Sequence, residues 1–119
     1  AFKVFGLEVA ATGLDEKAAA ESGYEPVGAL VWGNAVAGSL PGAKKLGLKL
    51  VADRATGKLL GAQAVGEAGA VSRINILAGV LWAGMGLDDV GYLDLAYAPP
   101  FGGSWDLIHV AAQVLTKQL

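Results

Sequence analysis

The stretch "KLGLKLVADRATGKLLGAQAVG", residues 45–66, decides the fold. Leu46, Leu48 and Leu50 fall on one side of an extended chain, and Lys45 and Lys49 fall on the other. That alternation is the mark of a strand with one face in a core. The run breaks at "DRATGK", where Gly57 suits the left-handed position of a hairpin loop. Residues 58–66 return as the partner strand. Gly61, Ala62 and Ala64 in it are small, which lets another element approach this sheet closely.

Upstream, "KVFGLEVA" (residues 3–10) reads as one half-buried strand, with Phe5, Leu7 and Val9 on one side and Lys3 and Glu8 on the other. Gly13 turns the chain. Asp15 suits the N-cap of a short helix, "DEKAAAES", ending at Gly23, without a capping box because position 18 is Ala. Residues 26–38 read as a strand that fades into a glycine-rich connection, with a turn at Pro41-Gly42. After residue 66 the period changes. Ile74, Leu77, Leu81 and Met85 recur at helical spacing from Ala70 onward, and Ile76, Val80 and Trp82 widen the stripe, so this helix is expected to be covered on more than one face. Asp88-Asp89-Val90 suggests a helical turn, and residues 91–97 read as a short extended strand. Asp106 caps a final helix over 107–117. Leu107, Val110, Ala111 and Val114 form its expected buried stripe, and His109, Gln113 and Lys117 lie on another face. Hairpin-linked strands with segregated helices make an α+β domain, an antiparallel sheet of about four to five strands with helices packed on it.

A chain of 119 residues suits one domain. It is 54% hydrophobic, above the roughly 45–50% usual for soluble domains. No stretch reaches the ~18 apolar residues of a membrane helix; the closest, Ile74 to Leu87, is short and broken by Asn75 and glycines. The excess apolar surface therefore calls for a partner subunit or another domain rather than lipid. Net charge is −2 with no basic run, which gives no footprint for nucleic acid. With no cysteine, disulfides, thiolate chemistry and a cysteine-ligated metal are excluded, and a single histidine argues against a histidine-based metal site. No Walker sequence and no GxGxxG after a strand is present, so the isolated chain is expected to bind no nucleotide cofactor. The chain begins with Ala1 and shows no signal peptide. It reads as a piece of a longer, cytoplasmic protein.

Asp15, Asp88 and Asp106 are read as helix caps. His109 could act as a general base or proton shuttle, but no Ser or Asp at readable spacing completes a triad, and a surface or interface position is the preferred reading. Arg73 is read as a surface or interface ion-pair residue on a polar edge of the long helix. There remains "LAYAPPFGGSWD", residues 95–106. Its aromatics Tyr97, Phe101 and Trp105 surround Pro99 and Pro100. They either plug the bottom of the core or form a stiff preformed rim toward a flat ligand or a partner's active site.

Five segments together resemble a known family: "FKVFGLEVAATGL" at the start, "LPGA" at 40–43, "TGKLLGAQAVG" at 56–66, "SRINILAGVLWAGM" at 72–85 and "LAYAPPFGGSWD". In order and spacing they resemble the C-terminal dimerisation domain of the pyridine nucleotide-disulfide oxidoreductases. The nearest branch is that of NADH oxidases, NADH peroxidases and coenzyme A-disulfide reductases. The resemblance implies a homodimer, with FAD- and NAD(P)H-binding domains upstream in the same polypeptide. It also implies that residues 97–101 reach the partner subunit's flavin and redox centre. Tyr97 would be a catalytic hydroxyl donor acting in trans. Ala98, Pro99, Pro100 and Phe101 would contact the flavin, with the Ala98 carbonyl accepting from its pyrimidine edge. The alternative is a free-standing interaction or scaffold module without redox activity.

Three positions depart from the family pattern. Ser39-Leu40 stands where coenzyme A-disulfide reductases show a tyrosine pair, which removes a phenolic partner for Tyr97 and counts against that chemistry. The family's Lys-Asp-Pro-Val-Asn appears as Trp105-Asp106-Leu107-Ile108-His109, keeping only the aspartate. The His-Pro-Thr turn of glutathione-reductase-type relatives is replaced by Ala98-Pro99-Pro100, and His109 does not substitute for the missing histidine by position.

Overall fold

The computed structural model describes residues 1–38 and 40–119; Ser39 of the Ser39-Leu40 departure lies outside them. In chain order the elements are β1 (Phe2–Val4), β2 (Leu7–Gly13), α1 (Glu16–Glu21), β3 (Pro26–Asn34), β4 (Lys45–Asp53), β5 (Leu59–Gly66), α2 (Ala70–Ala83), α3 (Leu87–Val90) and α4 (Leu107–Thr116). The strands form one antiparallel sheet in the order β1-β2-β5-β4-β3. This is the α+β architecture expected from the sequence. The β4–β5 hairpin turns through Gly57 at φ 72°. Its Asp53 carboxylate accepts from the Glu25 amide at 3.1 Å and the Thr56 hydroxyl at 2.9 Å.

Directly opposed residues in the ladder share a face. The rows Ala10–Ala64–Leu48–Val31 and Thr12–Ala62–Leu50–Ala29 look toward α2 and α4. Leu48 and Leu50 there meet Ile74, Leu77 and Val80 of α2 and Ile108, Ala111 and Leu115 of α4 in one buried cluster. Each such leucine contributes roughly 1.5–3 kcal/mol by leaving water.

The opposite face is covered at one end only. The row Gly13–Gly61–Val51–Gly28 lies there, with Leu14 and α1 over it. A Cβ on Gly61 would come within 2.0 Å of the Leu14 carbonyl oxygen, and one on Gly28 within 2.8 Å of the Glu16 carboxylate. The small residues therefore admit α1, as the close-approach reading of Gly61 anticipated. Ala19, Val51, Leu60 and Leu14 pack into a second, smaller cluster beneath it, and Lys49 pairs with Glu16.

Several sequence expectations need correction. The strand expected over 3–10 is two strands, because Phe5 (φ 50°) and Gly6 (φ 77°) both adopt left-handed conformations and reverse the chain between Val4 and Leu7. Alternation cannot be counted through a two-residue turn, so Phe5 shares no strand face with Leu7 and Val9. Residues 91–97 form no strand: Leu93 N–H donates to the Val90 carbonyl and Leu95 N–H to the Leu93 carbonyl, and Leu93 and Leu95 pack on the core from a loop. The long helix stops at Ala83, where Gly84 takes a left-handed C-cap. In α4 the buried set is Leu107, Ile108, His109, Ala111, Ala112 and Leu115, while Val110 is exposed and Val114 half-buried. This helix is wedged between β3, β4 and α3, so its covered arc is wider than one stripe and is turned toward α3.

Candidate functional site

The site is the loop after α3 together with the first turn of α4. Asp106 starts the helix, its Oδ1 accepting the Ile108 amide at 3.0 Å. The Asp106 amide in turn donates to His109 Nδ1 at 2.9 Å, a capping box closed by imidazole in the slot usually held by Glu or Gln. A backbone donor on Nδ1 requires the lone pair there, which places the ring proton on Nε2. That nitrogen donates to the Leu93 carbonyl at 2.7 Å. His109 is thus buried with both ring nitrogens in use; of the surface or interface position expected, the surface half does not hold, and the ring is not a free general base. Its ring holds the end of α4 against the incoming loop.

Arg73 is also not where the sequence suggested. It is 5% exposed and lies under the loop rather than on a polar edge. Its Nε and Nη2 reach the two Asp106 carboxylate oxygens at 3.2 and 2.9 Å, a bidentate pair. Nη2 also donates to the Ala35 carbonyl at 2.9 Å, and Nη1 to the Gly69 carbonyl at 3.2 Å. One guanidinium therefore fastens α2, the connection after β3 and the N-terminus of α4. Gly102 sits against this pair, since a Cβ there would lie 3.0 Å from Asp106 Oδ2.

The aromatic turn is built on that bolt. The Ala98 carbonyl accepts from the Phe101 amide at 2.9 Å and the Gly102 amide at 3.3 Å, and the Ala37 amide donates to the Pro99 carbonyl at 3.0 Å. Two prolines and three backbone bonds hold its shape. Tyr97 is 55% exposed, and Phe101 and Trp105 are exposed as well, which rules out the core-plug reading. Trp105 stands edge-on to Tyr92 at 6.3 Å and to His109 at 5.6 Å between ring centroids. Tyr92, Asp94, Tyr97, Trp105 and His109 line an open cleft of about 310 Å³. Sequence reading missed Tyr92, for which no local signal exists. It singled out His109 but not its capping role, which a place three residues after a capping aspartate could have signalled.

Elsewhere on α2 an outward stripe is uncovered, in which Trp82 is 94% exposed and Ile76 is exposed too. Gly79 between them has open space where a Cβ would be. Of the residues expected to widen the stripe, Val80 is buried in the core, while Ile76 and Trp82 are bare in the chain alone.

Residues 1–107 match the family model described as "Pyridine nucleotide-disulphide oxidoreductase, dimerisation domain". The chain belongs to this family. It is 42% identical over 113 residues to the NAD(P)H sulfur oxidoreductase (CoA-dependent) of Pyrococcus furiosus, covering 95% of this chain and 25% of that protein. It is 32% identical over 108 residues to the coenzyme A disulfide reductase of Staphylococcus epidermidis, covering 91% of this chain and 24% of the relative. Among solved structures, the NAD-dependent persulfide reductase of A. fulgidus superposes with a TM-score of 0.94 at 33% identity, covering 98% of this chain and 22% of that one. The chain spans about a quarter of the length of the curated relatives it matches. These relatives are oxidoreductases, and membership of a dimerisation-domain family implies oligomer formation. Among the described residues no helix is long and apolar enough to cross a membrane.

Proposed function

We propose that this chain is the homodimerisation domain of an FAD-dependent NAD(P)H oxidoreductase. The nucleotide-binding domains lie upstream in the same polypeptide, and the 97–101 turn is offered to the partner subunit's flavin and redox centre. The observation that carries this reading is the turn itself: an exposed tyrosine and phenylalanine on a backbone locked by two prolines and a buried ion pair. A loop held that firmly presents its side chains without loss of freedom on contact.

The α2 stripe of Ile76, Gly79 and Trp82 forms a twofold contact together with α4, in which the glycine lets backbones approach. An obligate interface of this kind buries on the order of 2,000 Å² or more. A stable monomer in light scattering at tens of micromolar would contradict it.

The exposed Phe101 ring and the Tyr97 phenol fit contact with a flat isoalloxazine. The Ala98 carbonyl already accepts two amides, so accepting from the flavin exchanges the longer, 3.3 Å bond from Gly102. Bound FAD supplies the hydride relay from nicotinamide; this chain supplies a hydroxyl. Tyr97 Oη donates a hydrogen bond to a thiolate or a proton to a leaving group at the partner's centre, a role for which it needs only to be positioned and exposed. The isolated chain, lacking a phosphate-cradling loop, purifies colourless and inactive.

Tyr97→Phe in the full-length enzyme tests this. The ring is kept and half of it already faces solvent, so dimerisation and melting temperature stay unchanged. Turnover falls about ten- to a hundredfold, or roughly 1.4–2.7 kcal/mol of barrier. Wild-type turnover in that variant overturns the catalytic role.

A further inference from the structure

The tip of the β1–β2 hairpin holds a residue that its local geometry disfavours. A two-residue turn with positive φ at both positions normally takes Asn-Gly or Asp-Gly. Here the first position is Phe5 at φ 50°, a conformation bulky L-residues rarely adopt. Its ring is 99% exposed, so no packing of the side chain compensates the choice of residue. Backbone strain kept against local preference points to use elsewhere.

Phe5 continues an apolar surface. Phe2, Val4 and Leu7 of the same hairpin are exposed. The row Phe2–Val9–Val65–Gly47–Trp32 crosses all five strands on the face opposite α2 and α4. Trp32 is 63% exposed, and its indole lies over Gly47, where a Cβ would come within 2.7 Å of the ring. Leu30, Val9, Val65 and this indole line a shallow cavity of about 380 Å³. Since α1 covers only the far end, the contiguous patch is of the kind that marks an interaction surface. A twofold contact through α2 and α4 leaves it bare, because it lies on the other side of the sheet.

We propose that this face, with Phe5 as anchor, docks the remainder of the parent polypeptide through an apolar surface on one of its nucleotide-binding domains. This rests on the reading above that such domains exist. One observation selects that occupant over a second copy, and a second suits it. About three quarters of the P. furiosus relative lies outside the matched stretch and must pack somewhere. The patch is almost wholly apolar, with Lys49 and Gln63 as its polar neighbours, as suits a permanent contact rather than a transient one. A domain tethered in the same chain meets this face at a high effective concentration, so a bulky residue at the hairpin tip stays covered.

Hydroxyl-radical footprinting of the full-length protein beside the 119-residue chain tests the proposal. Phe5 and Trp32 should be oxidised at least about tenfold more slowly in the full-length protein, as expected for rings withdrawn from water. Phe5→Asn gives a second readout with opposite signs. Asparagine suits the turn, so the short chain should melt roughly 3–6 °C higher, while the full-length protein, losing its anchor, should melt lower. Equal Phe5 reactivity in both proteins, or a parallel rise in both melting temperatures, overturns the proposal. So does protection of Phe5 in the short chain that disappears on dilution, which would make the occupant a second copy. Phe5 protection with wild-type turnover in Tyr97→Phe would remove the redox reading alone; the reverse pair would remove this one alone.

Discussion

Arg73→Met is the most searching perturbation of this chain. Methionine keeps much of the aliphatic stem and removes the guanidinium. The bidentate pair with Asp106 is lost, as are the bonds to the Ala35 and Gly69 carbonyls. Breaking a buried pair by removing one partner typically costs about 3–5 kcal/mol, because a charge is left without its counterion. The Asp106 carboxylate keeps the Ile108 amide at 3.0 Å and the positive end of α4, so the low end, about 3 kcal/mol, is expected. For a domain of this size that is a fall of roughly 10 °C in melting temperature. Urea unfolding should show the midpoint moving with the slope unchanged. Asp106→Ser retains an N-cap acceptor while removing the counterion. In that background Arg73→Met should be far milder, and the cycle should give a coupling of at least about 1.5 kcal/mol. Amide exchange at Ala37, whose donor bond to Pro99 depends on the same fastening, should accelerate in the Met variant. A total cost below about 1 kcal/mol would be the value of an exposed ion pair and would refute the claim that this pair holds the turn.

Gly61→Ala should be among the most damaging single-atom changes. Its Cβ would meet the Leu14 carbonyl oxygen at 2.0 Å, and because backbone cannot rotate away, loss of at least about 3 kcal/mol in urea unfolding is expected. Gly79→Ala, by contrast, has open space and should stabilise the monomer by about 0.5–1 kcal/mol while weakening the dimer in sedimentation. His109→Ala removes the capping partner and the bond to Leu93, and should cost about 1–2 kcal/mol without touching a proton-transfer step. Asp53 is held below the usual carboxylate value of 3.8, first by the Glu25 amide and then by the Thr56 hydroxyl. Its contribution is therefore complete above that value and is lost as pH falls through the lower, folded-state one. Melting temperatures measured from about pH 5 down to about pH 3 should drop more for the wild type than for Asp53→Asn.

Much of the candidate site was legible, but its supports were not. Pro99, Pro100 and the aromatics around them stood out because prolines and rings carry their meaning locally. Arg73 looked like a surface residue because it is charged and its neighbours along the chain, Ser72 and Asn75, are polar and exposed, although helical spacing sets it on the side of Ala70, Leu77 and Val80, which is buried. Its burial depends on Asp106 and Ala35, 33 and 38 residues away. His109 was misjudged for a similar reason: its acceptor is the Leu93 carbonyl, supplied by a loop that no pattern identifies.

By itself the sequence determined what depends on neighbours along the chain. The alternation of Leu46, Leu48 and Leu50, the turn at Gly57, the Asp15 and Asp106 caps and the helical spacing from Ile74 onward are all set by backbone geometry within a few residues. It also signalled, in Gly61, that something must approach closely. Tertiary structure alone decided which side of each element is covered. The stripe of α4 turned toward α3 because a helix buries whatever its neighbours surround. Among the described residues no element covers Trp82, and Trp32, resting on Gly47 of β4, keeps its outer face bare. The strand over residues 3–10 became a hairpin because pairing of Phe2 with Val9 outweighed the local reluctance of Phe5 to take positive φ, and pairing energy arises only once β2 is itself held against β5.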